Sequence, residues 1–242
     1  MRYGVISDIH SNYEAFRAAV DALSKERIDA YLCLGDVIGY GADPHACLKL
    51  LQELKPKALV AGNHEWAVLG LTDISLFNAD AREAVLWTRK VLTAEELEFL
   101  KTFELVHETR KFVLTHGTLD SPSEFGYMLS DADARRTMSL MKVPLCFVGH
   151  SHVGSIFYSK ADKVKYFAGK SIEMEDRSKY VVNSGSIGQP RDFDPKASYV
   201  VYDDEKRTIE LKRVKYDIKA AQEKILKVGL PDFLAYRLST GR

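Results

Sequence analysis

Short apolar runs alternate with helically spaced segments over the first third of the chain. YGVIS, Tyr3 to Ser7, reads as a buried strand, and NYEAFRAAVDALSKE behind it sets Ala15, Phe16, Ala19, Val20 and Leu23 at helical spacing. AYLCLG predicts a second strand and PHACLKLLQEL a second helix, opened by Asp43 and Pro44. KALVAG predicts a third strand. Strands and helices alternating at these lengths point to parallel strands joined by right-handed crossovers.

From residue 74 to 103 the pattern is mostly helical. NADAREAVLWTRKVL predicts one amphipathic helix, and TAEELEFLKTF opens on Thr93 and Glu96 in capping-box spacing. Beyond it ELVHE, KFVLTH, LCFVGH, GSIFYS, VKYFA, KYVVNSG, SYVVYD and TIELKRVKY are short, β-rich and separated by turn residues. One helix near DADARRTMSLM interrupts them. DIKAAQEKILKVG predicts a last helix, stopped by Gly229 and Pro231, with a short tail behind it. The expected organisation is a single α/β domain with two sheets over residues 1–242. Within it, 66–103 is a candidate helical lid and 217–242 a C-terminal helix and tail. Trp66, Phe77 and Trp87 are expected in the core rather than as base-stacking platforms.

Composition changes this picture little. Of 242 residues, 46% are apolar and 28% charged, as in ordinary soluble globular proteins. Lys plus Arg and Asp plus Glu are 34 each, so net charge gives no support to a nucleic-acid or membrane partner. No apolar run reaches membrane-spanning length, and the N-terminus leads straight into a strand, so no signal peptide is expected. The three cysteines cannot all pair within one chain. Cys33 and Cys146 fall in strand-like runs, so a reducing, cytoplasmic compartment is expected. A homo-oligomer is left open.

The strand ends carry the chemistry. Asp8 and His10 follow the first strand, Asp36 the second, and Asn63, His64 and Glu65 the third; His116 follows KFVLT, and His150 and His152 follow LCFVG. Five of the seven histidines occupy such places. Taken singly, each of these residues is an ordinary turn residue. Together they mark the carboxyl ends of the strands as a ligand crevice. The set is two Asp, one Asn and four His apart from His64. Mixed imidazole and carboxylate donors suit Mn, Fe, Zn, Co or Ni. Seven donors are too many for one such ion, and suit two ions about 3.5–4 Å apart that share a carboxylate and clamp a phosphoryl group.

Asp8-x-His10, Gly35-Asp36, Gly62-Asn63-His64-Glu65, His116-Gly117 and Gly149-His150-Ser151-His152 resemble, in order and spacing, the calcineurin-like metallophosphoesterase signature. NSGSIGQPRD is similar to a stretch of small bacterial and archaeal phosphoesterases of that superfamily. The resemblance implies two stacked mixed β-sheets flanked by helices, an α/β/β/α sandwich. It implies that Asp8, His10 and His152 bind one divalent transition-metal ion and Asn63, His116 and His150 a second, with Asp36 bridging. His64 is then the non-ligand that steadies the transition state or protonates the leaving oxygen.

The implied activity is two-metal-dependent hydrolysis of phosphodiesters or small phosphomonoesters by attack of a metal-bound hydroxide, on a small phosphorylated substrate. The alternatives are a metal-dependent nuclease, a dinucleoside polyphosphate hydrolase, and a non-catalytic metal-binding scaffold. The segment GDVIGYGADP departs from the phosphoprotein phosphatases of the superfamily, with Gly39 where they carry Asp and no adjacent Arg. The carboxylate partner of His64 and one phosphate-binding Arg are therefore missing. Arg191 is the candidate substitute for that Arg. Asn12 is either a substrate contact or the cap of the first helix.

Overall fold

A computed structural model of the chain, describing residues 1–161 and 163–242, shows how these segments pair. In β1 (Arg2–Ile6) side chains alternate: Tyr3 and Val5 enter one apolar cluster and Ile6 another. β2 (Ala30–Cys33) and β3 (Ala58–Leu59) lie parallel to it, reached through α1 (Tyr13–Leu23) and α2 (Pro44–Leu54). β11 (Ala197–Asp203) returns antiparallel to β1, with Val5 opposite Val200. β12 (Thr208–Val214) and the three-residue β9 (Ser171–Glu173) complete the order β3-β2-β1-β11-β12-β9. β9 has one apolar residue and, among the described residues, pairs with β12 alone, which explains why no strand is expected there.

The second sheet contains β4 (Val106–Glu108), β5 (Phe112–Thr115), β6 (Leu145–Val148), β7 (Ser155–Lys160), β8 (Lys163–Phe167) and β10 (Tyr180–Asn183). Their order is β4-β5-β6-β10-β7-β8, with β5, β6 and β10 parallel. The two sheets face each other across Val5, Leu32, Leu34, Leu114, Phe147, Val182 and Val200, all fully buried. Each such side chain contributes about 1.5–3 kcal/mol on burial. α1 and α2 cover the outside of the first sheet, and α6 (Asp131–Leu140) covers the second. The architecture is thus two mixed six-stranded sheets flanked by helices, as expected.

Three α-helices follow β3 in the chain before β4. α3 (Asn63–Leu69) starts after the short link 60–62 that follows β3, so Asn63 and His64 stand in a first helical turn rather than an open loop. α4 (Ala79–Val91) and α5 (Ala94–Leu100) follow, the latter opened by the Thr93–Glu96 capping box. The C-terminal segment is more than one helix and a tail. α7 (Ile218–Lys227) is followed by α8 (Asp232–Tyr236), and Leu234, Ala235 and Leu238 pack with Ala81 and Ala84 of α4 around Tyr40. With only five residues, α8 is too short to show a helical period. No described helix is long and apolar enough to cross a membrane.

Candidate metal centre

The donor loops all turn sharply at the strand ends. Asp8, His10, Asp36, His150 and His152 have φ between 50° and 66°, a left-handed backbone that residues other than glycine rarely adopt. Such strain persists only where surrounding structure over-determines it, and here it does. Ser186 Oγ and Gly188 N both donate to the Asp8 carbonyl, while Asn183 ties Gly149 and Ser151 together through its amide. The NSGSIGQP stretch is therefore a brace behind the donors. Gly149 must lack a side chain, since a Cβ there would lie 2.5 Å from Asp8 Oδ2.

Three histidines are aimed by one device. Nδ1 of His10 donates to Ile38 O at 3.1 Å, that of His116 to Leu34 O at 2.7 Å, and that of His152 to Gln189 O at 2.5 Å. A carbonyl only accepts, so Nδ1 holds the proton and Nε2 faces the cluster, as in metal-ligating histidines. His150 is held differently, by stacking on Tyr127 at 4.2 Å and 18°.

The donors collect into two groups. Asp8, His10, Asp36 and His152 place donor atoms within 4.8 Å of one another, and so do Asp36, His116 and His150. Asp36 belongs to both. Nε2 of His10 and Nε2 of His152 stand 3.0 Å apart, with Asp8 Oδ1 3.2 Å from the latter. Two imidazole lone pairs facing each other at that distance call for a cation between them. In the second group His116 Nε2 lies 3.2 Å from Asp36 Oδ2, and among the described residues neither it nor the buried Asn63 Oδ1 has a directed hydrogen-bond partner. The donor chemistry fits divalent transition metals.

The buried carboxylates and imidazoles shift one another's protonation. Burial raises a carboxyl group, yet His152 and His116 hold Asp8 below its ordinary value, and His116 and His64 do the same for Asp36. Burial opposes a proton on His116, but the Asp36 carboxylate raises it to about 10. His150 falls to about 3, through burial and then the charge of His116. His64 falls to about 4, chiefly through burial.

His64 explains the departure at Gly39. Gly39 has φ +92°, and a Cβ there would lie 2.3 Å from His64 Nδ1, so no carboxylate fits at this position. Nδ1 itself has no hydrogen-bond partner among the described residues. Packing orients the ring instead, with Tyr40 at 4.5 Å, His10 at 4.9 Å and Phe77 at 5.7 Å. The His64 amide donates to Asp36 Oδ1. Arg191 is half-buried, with its guanidinium over the Tyr40 ring at 5.7 Å and Nη2 on Gln189 Oε1. It therefore sits at the rim of the cluster rather than on a detached turn. Asn12 is turned inward: Oδ1 accepts from Ala15 N as a helix cap, and Nδ2 donates to Gly188 O.

Sequence reasoning gave Glu65 no role. Its fully buried carboxylate accepts from the amides of Asp36, Val37 and Gly62 at 2.8 Å each, fastening the loop after β2 to the start of α3. Burial and Asp36 raise its pKa to about 7. A buried glutamate directly after Asn63 and His64 was the available signal. Tyr40 and Tyr127 were also missed, and Phe77, expected in the core, is half-buried and lines a cavity beside Asn63 and His150. No local pattern marks these aromatic residues.

A sandwich of two mixed sheets with buried carboxylate and imidazole donors on its parallel strand ends defines an α/β protein with a site suited to metal binding. The model for the calcineurin-like phosphoesterase superfamily domain matches residues 1–207, and the chain belongs to that superfamily. It is 40% identical over 244 residues to the uncharacterised protein MJ0912 of Methanocaldococcus jannaschii, covering 98% of this chain and 97% of the relative. The crystal structure of a metallophosphoesterase from Sphaerobacter thermophilus matches it at TM-score 0.87 and 32% identity over the whole of both chains. A Pyrococcus horikoshii protein of 19% identity shares the fold at TM-score 0.82, covering 100% of this chain and 98% of that one.

Proposed function

We propose that the protein is a two-metal phosphoesterase acting on phosphodiesters or small phosphomonoesters. The carrying observation is the pair of buried donor groups that share Asp36, one with two imidazole lone pairs opposed and the other with Asn63 Oδ1 unpartnered among the described residues. Asp8, His10 and His152 would hold one divalent ion, Asn63, His116 and His150 the other, and Asp36 both. When bound, such ions supply a hydroxide nucleophile near neutral pH and neutralise phosphoryl charge.

The chain's own groups do the rest. The Nδ1 tethers and the stack on Tyr127 hold the imidazoles in place, so the donors need no reorganisation as the reaction proceeds. His64, held near 4 by burial, enters as a neutral imidazole. The role that suits it is hydrogen-bond donation to a phosphoryl or leaving-group oxygen, rather than storage of a proton. Arg191 adds a positive charge at the rim.

Metal-stripped protein given Mn²⁺, Co²⁺ or Ni²⁺ is expected to hydrolyse bis(p-nitrophenyl) phosphate, and His64→Ala to lose turnover while keeping its metal. A folded, metal-loaded protein that cleaved no aryl phosphate mono- or diester would overturn the proposal and favour a binding scaffold.

A further inference from the structure

A cavity of about 380 Å³ opens beside Asn63 and His150, within the size range of small-ligand pockets. Its walls carry Tyr40 and Phe77 together with Phe125 and Tyr127. Trp66 stands edge-on to Phe125 at 5.3 Å, and Tyr127, stacked on His150, is half exposed. The charged residues of the lining are Asp73 and Glu124, with no Lys or Arg among them. Two hydrogen bonds from Ser75 keep Asp73 ionised, lowering its pKa. Arg191 lies outside this lining, over the ring of Tyr40.

A second phosphate placed in this cavity away from Asn63 and His150 would face two carboxylates and no Lys or Arg of the lining. A flat ring would find aromatic surfaces, which bind any base through its π-face. Resting on the phosphoesterase reading, we infer that this cavity receives an esterifying group of the substrate, and that the group is an uncharged aromatic ring system, a nucleobase or an aryl, rather than a further phosphate. Tyr127 then has two duties: it stacks on His150 and it forms part of the ring-binding wall. The Asn78 and Thr72 side chains of the lining offer polar contacts at the edge of such a ring.

The test is calorimetric titration of the manganese-loaded full chain with phosphonates, whose P–C bonds resist hydrolysis, with α,β-methylene ADP checked for release of adenosine. Methylphosphonate, phenylphosphonate, the 5′-phosphonate analogue of AMP and α,β-methylene ADP form the series. Phenylphosphonate or the AMP analogue is expected to bind at least tenfold tighter than methylphosphonate, with α,β-methylene ADP no tighter than the AMP analogue. Equal affinity of the two ring ligands would assign an aryl group, and a clear excess for the AMP analogue a nucleobase. Tyr127→Ala should cut the ratio of AMP analogue to methylphosphonate affinity at least fivefold and Tyr127→Phe should restore it, with manganese content measured in both. Equal binding of all four ligands, α,β-methylene ADP as the tightest, or a ratio untouched by Tyr127→Ala would each overturn the inference. Absence of any ester hydrolysis with ring preference intact would strike the phosphoesterase reading instead.

Discussion

At the donor end of the sandwich the Asp and His side chains are buried, with Asn63 half-buried beside them, whereas the cavity wall next to them carries Leu76 at 88% exposure and Tyr127 at 49%. The donor loops combine left-handed backbone, carbonyl tethers on three imidazoles and the Glu65 fastening. The cavity wall offers ring faces and a few polar edges. Holding cations demands donor atoms fixed to a fraction of an ångström, because ligand distances vary by only about 0.2 Å. Receiving a ring demands surface alone. Substitutions on the two sides should therefore differ in kind: one side governs whether ions and turnover exist at all, the other which ester is preferred.

The sharpest break in that contrast is at Asp36. Asp36→Asn keeps the shape but removes the shared negative charge, so both donor groups weaken together. Manganese content should fall and turnover should drop by about a thousandfold or more. Metal analysis and kcat for bis(p-nitrophenyl) phosphate read the two effects. Full manganese occupancy with ordinary kcat would show that the two groups are independent of Asp36.

The next effect is in pH. In the metal-free protein Asp36 raises His116 to about 10, so at pH 7 the ring carries a proton on each nitrogen. An ion needs the Nε2 lone pair, so uptake must release that proton. Affinity should rise with pH, by up to about tenfold per unit, over the window from 6.5 toward 10. Titration calorimetry in two buffers of different ionisation enthalpy should report close to one proton released on this account. Uptake at pH 7.5 without proton release would place His116 neutral before the ion arrives.

Gly39 tests how His64 is oriented. Gly39→Ala forces a side chain into a left-handed backbone, about 1–2 kcal/mol unfavourable, and directs its Cβ into His64 Nδ1. The expected result is lower stability by that amount and a kcat loss larger than any loss of manganese. Urea unfolding, metal content and kcat together separate these outcomes. Unchanged kcat would mean that packing by Tyr40 and Phe77 is not what aims the ring.

Much of this was legible in the sequence, for a physical reason. Carboxylate and imidazole side chains placed directly at strand ends and beside small residues stand out locally, as in Gly35-Asp36 and Gly149-His150-Ser151-His152. The helix of Pro44–Leu54 was readable because Asp43 and Pro44 start it and apolar spacing sustains it. Tyr127 and Phe77 left no such mark. Their role comes from neighbours far away in the chain, as where Tyr127 meets His150 and Phe77 meets His64. α8 was missed for a related reason: its burial depends on α4 and Tyr40, not on its own period. Gly39 lay between the two cases. Its departure from the superfamily pattern was visible, but the close approach that requires it was not.

The smallest effect is expected where the cavity wall is most open. Leu76 and Leu34 are the same residue type, one 88% exposed and the other fully buried between the sheets. Leu34→Ala should lower stability by about 2–5 kcal/mol, since removed atoms leave a cavity that the sandwich cannot close. Leu76→Ala removes no packed neighbour, so the change should stay within about 0.5 kcal/mol. Its effect should show instead as a shift of a few-fold or less in the affinity ratio of aromatic to methyl phosphonates. Denaturant titration of the metal-free variants measures the first quantity, and calorimetry of the manganese-loaded ones the second. If Leu76→Ala cost more than about 1 kcal/mol, the wall at 72–81 would be packed as tightly as the donor end. The division of the site into a fixed chemical half and an adaptable selecting half would then have to be given up.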